Sequence, residues 1–118
     1  MSYYIDHAVE MSEKAYNDML AEVENLDEDL RKDVKHLIGK GIADGKIYDE
    51  GTRILQWPNV SYKEFRDSEA WDWFIEFIDE YPTDDEDIAY IRLGENYDDY
   101  DLWGCPKHMG VTRNIEVY

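Results

Sequence analysis

Apolar residues recur every three or four positions in three stretches of the chain, which is the spacing of amphipathic helices. The first stretch predicts a helix over residues 6–24, with Asp6 or Ser12 as its N-cap. The second stretch predicts a helix that begins after Asp27 and stops at Asp44-Gly45. Because the connection between them is short, we expect these two helices to pack antiparallel.

The third helical stretch opens with Ser61-Tyr62-Lys63-Glu64, which has the form of a capping box. In a capping box the Ser and Glu side chains each satisfy a backbone N–H group at the start of a helix. A helix should therefore begin near Tyr62, restart at Asp67 or Ser68, and stop at Pro82. A wide apolar face is predicted for it, made of Trp71, Phe74, Ile75, Ile78 and Tyr81.

Three segments rich in β-branched and aromatic residues have the pattern of strands, namely 52–57, 88–93 and 110–118. The connection over 94–109 is long for a hairpin loop, which makes it a candidate functional segment. Helices that lead and strands that follow predict an α+β fold. We expect two N-terminal antiparallel helices and a third acidic amphipathic helix, packed on a small, mainly antiparallel sheet that includes the C-terminal strand.

The composition is that of one folded acidic domain. The chain has 118 residues, and its 43% hydrophobic and 14% aromatic content is too high for a disordered segment. At this length we expect a single compact α+β domain over 1–118. The formal charge is −17, whereas a charge of about 2–8 is enough to keep a small domain soluble.

The negative charge is concentrated in one part of the sequence. Residues 67–101 contain fourteen acidic side chains and one basic side chain, Arg92. In the third helix the acids are three or four residues apart, so they are neighbours on one face. Tyr and Trp, which are frequent at binding hot spots, follow closely in the long connection. We therefore predict a partner-binding surface made of Glu69, Asp72, Glu76, Asp79, Glu80, Asp84, Asp85, Glu86, Asp87, Tyr97, Asp98, Asp99, Tyr100, Asp101 and Trp103.

The same charge excludes two classes of partner. Sequence-independent binding to DNA or RNA depends on Lys and Arg side chains that neutralise phosphates, so we expect no direct binding to nucleic acid. Anionic membrane surfaces are excluded for the same reason. The N-terminus lacks a basic start followed by an apolar stretch, and Cys105 has no second cysteine to pair with. We expect a cytoplasmic protein, in the host cytoplasm if a phage encodes it.

No complete catalytic, metal or cofactor motif is present, so we predict no catalytic residues, no metal, no cofactor and no enzymatic activity. Cys105 and His108 have the spacing of half a zinc site, but the sequence has no second Cys/His pair to complete it. The acidic run 84–87 lacks the alternating ligands and the glycine of a calcium-binding loop. With 29 carboxylates in the chain, the occurrence of a carboxylate pair carries no diagnostic value for catalysis.

A small, strongly acidic chain with aromatic residues among its acids predicts an inhibitor that presents nucleic-acid-like charge to a basic protein, unless Trp103 and one of the tyrosines fold back to cover the sheet. In size and acidity the chain resembles the DNA-mimic anti-restriction and anti-CRISPR proteins of bacteriophages. That resemblance implies a basic nucleic-acid-binding protein or nuclease complex as the partner. Two alternatives stay open: an immunity or antitoxin protein that caps a nuclease active site, and an adaptor or structural homodimer whose acids only keep it soluble.

Overall fold

The structure, a computed structural model, describes residues 3–81, 87–95, 99–111 and 114–118. Its elements in chain order are β1 (Tyr4–Met11), α1 (Glu13–Val23), α2 (Glu28–Ala43), β2 (Lys46–Ile47), β3 (Arg53–Ser61), α3 (Tyr62–Asp67), α4 (Glu69–Glu80), β4 (Ile88–Leu93), β5 (Tyr100–Trp103), β6 (Met109–Val111) and β7 (Ile115–Val117). Strands β1 to β5 form one antiparallel sheet in the order β2-β3-β1-β4-β5, and β6 pairs with β7 in a second sheet. The predicted α+β class is confirmed.

The sheet has a different cover on each face. Alternate residues of the central strand point to opposite faces, so Val9 and Met11 pack against the helices, whereas Ala8 packs against the β6–β7 hairpin. Most of the core lies on the helical face, where Trp57, Trp71 and Phe74 meet edge to face. On the hairpin face the core is smaller and includes Met109.

The prediction of a helix over residues 6–24 is wrong in its first part. Residues Tyr4–Met11 form the central strand of the sheet, and α1 begins only after the N-cap Ser12, whose Oγ accepts a hydrogen bond from the Ala15 N–H. A central strand is covered on both faces, so apolar residues stand at consecutive positions and the alternation of a strand is lost. Ala8 and Val9 are both fully buried and show this effect.

The predicted starts of the other helices are confirmed by their caps. The side chains of Asp27, Ser61 and Ser68 each accept a hydrogen bond from the backbone N–H three residues later, at the starts of α2, α3 and α4. Each of these bonds satisfies one of the N–H groups that a helix start leaves without an intrahelical partner. Of the two expected positions for the restart, Asp67 and Ser68, the structure has Ser68, whose extended backbone separates α3 from α4.

The strand predicted to end before Pro58 continues through it. Strand β3 carries one extra residue opposite the segment between Ile5 and His7, which forms a β-bulge. Within the bulge Asn59 adopts a φ of 55°, and its N–H donates to Asp6 Oδ1 at 2.8 Å. A bulge tolerates Pro58 because the ladder is interrupted there and no N–H is required.

The C-terminal strand does not join the main sheet as predicted. In place of one strand over 110–118 the chain has β6 and β7, which pair with each other and, within the described residues, with no strand of the main sheet. They pack across the hairpin face. The buried carboxylate of Glu10 on β1 holds the start of this hairpin, since it accepts hydrogen bonds from the backbone N–H groups of Lys107 and His108.

Candidate functional site: an acid-rimmed groove

A groove of about 530 Å³ lies between α4 and strands β4 and β5. Its apolar lining comes from four elements, with Phe65 on α3, Ile75 and Ile78 on α4, Tyr90 on β4 and Trp103 on β5. Its rim is acidic and is made of Asp72, Glu76, Asp79 and Glu80. We call it the α4–β5 groove. Two parts of the predicted surface, the acidic helix and Trp103, therefore come together here.

The width of the apolar face of α4 explains why the groove is apolar. The part of that face that contains Trp71, Phe74 and Phe77 is buried against the sheet and α2. The helix has further apolar residues beyond this part, and Ile75 and Ile78 remain half-buried beside the groove. The apolar face is thus wider than the core requires, and the surplus lines the groove.

The five acids of α4 are all exposed, and we call them the α4 acids: Glu69, Asp72, Glu76, Asp79 and Glu80. Within the described residues, none of their carboxylates forms an ion pair or a hydrogen bond. Neighbouring like charges weaken a helix. Asp79 and Glu80 add a second cost because they lie in the last turn, next to the negative end of the helix dipole and with no basic residue there.

The strand side of the groove is formed by Trp103. Its ring packs edge-on against Tyr90, with ring centroids 5.1 Å apart, yet 45% of the residue remains exposed. Trp103 lies opposite Tyr90 in the β4–β5 ladder, which places both side chains on the helical face. Tyr100 is exposed too, but it is three residues away along the strand and lies on the other face.

Three of the predicted acids bind within the fold. Asp87 Oδ1 accepts a hydrogen bond from Ser12 Oγ at 2.7 Å, and Asp99 accepts one from the Tyr3 hydroxyl. Asp101 Oδ2 lies 2.5 Å from the Arg92 guanidinium. These carboxylates hold the chain together and are less available to a partner than the α4 acids. The predicted residues Asp84, Asp85, Glu86, Tyr97 and Asp98 lie outside the described residues.

Behind the groove lies His7, which sequence reasoning assigned to a helix and did not connect with the site. Its Nδ1 is 2.5 Å from the Tyr90 hydroxyl, and its ring lies within 5 Å of the rings of Phe65 and Trp71. Burial, reinforced by the nearby positive charge of Arg92, lowers the pKa of His7 to about 3. Burial also raises the pKa of Tyr90. Two residues that line the groove, Phe65 and Tyr90, thus contact a histidine that stays neutral in the folded state.

The other polar side chains considered for chemistry are placed differently. Cys105 is an exposed free thiol. His108 stacks on Tyr48, and its Nε2 lies 2.8 Å from Glu50 Oε1. No group of three or more possible metal ligands is found among the described residues. None of the helices in the described ranges combines the length and the apolar character needed to span a bilayer.

The fold and the groove together define a small acidic α+β protein with an exposed, acid-rimmed apolar groove. Comparison with protein families, with curated proteins and with solved structures found no match for the chain. Its function is therefore argued from the groove and the surrounding charge.

Proposed function

We propose that the protein is an acidic inhibitor that binds a basic, nucleic-acid-handling protein and blocks its DNA or RNA site by charge mimicry. The observation that carries this proposal is the set of α4 acids, which are exposed, unpaired within the described part of the chain and adjacent to an apolar groove. A surface that served solubility alone would need neither the concentration of charge on one helix nor the groove beside it.

The spacing of the α4 acids supports mimicry of a nucleic-acid strand. The helix has twelve residues, which at about 1.5 Å per residue gives a length of about 18 Å. Five charges over this length amount to one charge per about 3.6 Å of helix axis, close to the one phosphate per about 3.4 Å of duplex axis that a single DNA strand presents. A basic cleft that accepts a phosphate backbone would therefore meet a similar charge density on α4.

Charge and aromatic contact would contribute at different stages of binding. Complementary long-range charge accelerates the encounter of two proteins and makes the association rate sensitive to salt. Burial of exposed aromatic side chains such as Trp103 slows dissociation, because most differences in affinity between related complexes lie in the dissociation rate. The groove provides both, since its rim is acidic and its lining is apolar.

The experiment compares three immobilised forms of the full chain, each exposed to lysate of the source cells or of their host. One is the wild type. The second has the α4 acids changed to amides, as Glu69→Gln, Asp72→Asn, Glu76→Gln, Asp79→Asn and Glu80→Gln. The third is a matched control with five exposed acids changed elsewhere, as Glu13→Gln, Glu22→Gln, Asp29→Asn, Asp33→Asn and Asp49→Asn.

We expect the wild type and the control to retain a DNA- or RNA-handling protein that short duplex DNA, RNA or raised salt releases. The α4 variant should not retain it. Equal retention by all three forms, or a retained protein that nucleic acid does not displace, would contradict the proposal. If the retained protein is a nuclease encoded beside this chain, the inhibitor is an immunity protein.

A further inference from the structure

Strand β5 is the outermost strand on its side of the main sheet. Its inner edge pairs with β4, and no strand within the described residues pairs with its outer edge. The backbone N–H and C=O groups along such an edge can form the hydrogen bonds of a ladder with an added strand. The edge of β5 also borders the α4–β5 groove, because Trp103 belongs to both.

The side chains of β5 do not protect this edge. Exposed strand edges are commonly blunted by lysine or proline, and residues 100–103 contain neither. The only charge on the strand, Asp101, is held by Arg92. Tyr100, Leu102 and Trp103 are 49%, 50% and 45% exposed, so apolar surface is available on both faces of the strand.

We propose that the edge of β5 and the α4–β5 groove together bind an extended, basic segment of the partner protein, which adds to the sheet as a sixth strand. The inference rests on the proposed function, since it assumes a basic partner, and it specifies which structure of that partner is recognised. The segment alternates cationic side chains with apolar ones, because the two faces of β5 differ.

The face of β5 that carries Trp103 borders the groove, and we expect it to bind the arginine side chains of the added strand. An arginine that points into the groove lays its aliphatic stem on Ile75, Ile78 and Trp103, while its guanidinium reaches the carboxylates of the rim. The opposite face offers Leu102 and Tyr100 to apolar side chains. Charge complementarity also selects a basic partner over a second copy of this chain, because each copy carries a charge of −17.

The test uses two labelled peptides of identical composition as probes, Arg-Val-Arg-Val-Arg-Val and Arg-Arg-Arg-Val-Val-Val, titrated with the full chain. Only the alternating peptide can place every arginine on one face of a strand. We expect it to bind at least tenfold more tightly than the block peptide and to protect backbone amides of β5 from hydrogen exchange. Equal affinities would overturn the inference.

N-methylation of the alternating peptide tests the backbone contact directly. Along a strand the N–H groups of alternate residues point to the same side, so methyl groups on all Val amides or on all Arg amides block opposite edges. We expect one of the two methylated peptides to lose binding and the other to retain it. Binding by both, or by neither, would overturn strand addition.

Two further measurements complete the design. Glu76→Gln with Asp79→Asn should weaken the alternating peptide severalfold, whereas the matched pair Glu22→Gln with Asp33→Asn should leave its affinity unchanged; equal effects would contradict a role for the groove. Self-association of the wild type that protects β5 amides without peptide would assign the edge to a second copy and overturn the inference. The capture experiment above uses no peptide, so the proposed function can fail or survive independently.

Discussion

Helices α2 and α4 carry their charges in opposite ways. Helix α2 has four basic and three acidic residues, with the acids Glu28 and Asp29 in its first turn and Lys40 in its last, which is the arrangement that the helix dipole favours. Its Lys32 and Lys35 lie 3.8 Å and 2.7 Å from the carboxylates of Glu28 and Glu24. Helix α4 has five acids and no base, and acids occupy both of its ends.

The difference indicates which charges serve the fold and which do not. The charges of α2 stabilise the helix that carries them and its contact with the end of α1. In α4 the dipole favours Glu69 and Asp72 in the first turn, but the five acids repel one another and Asp79 and Glu80 oppose the dipole at the C-terminal end. The proposed function accounts for the acids that the fold does not use. Functional surfaces commonly carry such costs, because selection preserves activity and not maximal stability.

The largest effect that we expect concerns His7, which packs against Tyr90 and Phe65 behind the α4–β5 groove. Its pKa is 6.5 in the unfolded chain and about 3 in the folded one. The unfolded state takes up the proton first as the pH falls. The contribution of neutral His7 to the free energy of unfolding should therefore be fully present above about pH 6.5, and about 5 kcal/mol of it should be lost as the pH falls to about 3.

Denaturant unfolding of the wild type, His7→Gln and His36→Gln at several pH values measures this contribution. His7→Gln should be less stable at neutral pH, because it loses the buried ring and its contact with the Tyr90 hydroxyl. Its loss of stability with falling pH should be shallower than that of the wild type. The control His36→Gln, at an exposed position of α2, should follow the wild type. Parallel pH curves for wild type and His7→Gln would show that His7 is not held neutral in the fold.

The next effect concerns the rate of binding. Asp79→Lys with Glu80→Lys reverses two charges at the end of α4, so association with the captured partner should slow at least tenfold at low salt and depend less on ionic strength. Glu22→Lys with Asp33→Lys changes the net charge of the protein equally, but on α1 and α2. Stopped-flow mixing should show a much smaller change for this control, and equal rates for both variants would remove α4 from the mechanism.

The same α4 variant should be more stable than the wild type. Lysines in the last turn favour the helix dipole that Asp79 and Glu80 oppose, and this exchange is worth about 1 kcal/mol. Thermal unfolding at low salt measures the gain, and added salt should reduce it. A variant that binds more slowly and is also less stable would indicate that these acids contribute to the fold.

The smallest effect that we expect concerns the stability that the ion pair between Lys35 of α2 and Glu24 contributes. The ion pair with Lys35, through its hydrogen bond and its positive charge, lowers the pKa of Glu24 below its usual 4.5. Its contribution is therefore present above about pH 4.5 and lost as the pH falls below that value. Lys35→Met should lower the melting temperature slightly at pH 7 and not at pH 3, since exposed pairs contribute little. A large loss would show that α2 depends on this pair.

The parts of the fold that the sequence predicted are those in which a local signal and the tertiary structure agree. The serine caps of α3 and α4, the wide apolar face of α4, and the β-branched and aromatic residues of β4 are examples. The first strand was missed because burial on both faces removed its alternation, although Ile5, Val9 and Met11 stand at even spacing. Strand β5 was placed in a loop because it has only four residues at the sheet edge.

The candidate site was predicted in part for a similar reason. The α4 acids follow from helical spacing, but their meeting with Trp103 depends on the pairing of β5 with β4, which no local pattern encodes. The engagement of Asp87, Asp99 and Asp101 by Ser12, Tyr3 and Arg92 depends on contacts between distant parts of the chain. The sequence around Tyr90 and Phe65 also gives no sign that these aromatic residues line a groove and are not simply part of the core.

Competition between this protein and nucleic acid for the captured partner tests the central claim most directly. Binding of labelled duplex DNA or RNA to the partner is measured at increasing concentrations of wild-type protein. Charge mimicry predicts that the apparent dissociation constant for the nucleic acid rises linearly with the protein concentration and without a plateau, and that the α4 amide variant has no such effect. A ternary complex, in which nucleic acid and wild-type protein bind the partner together, would contradict it.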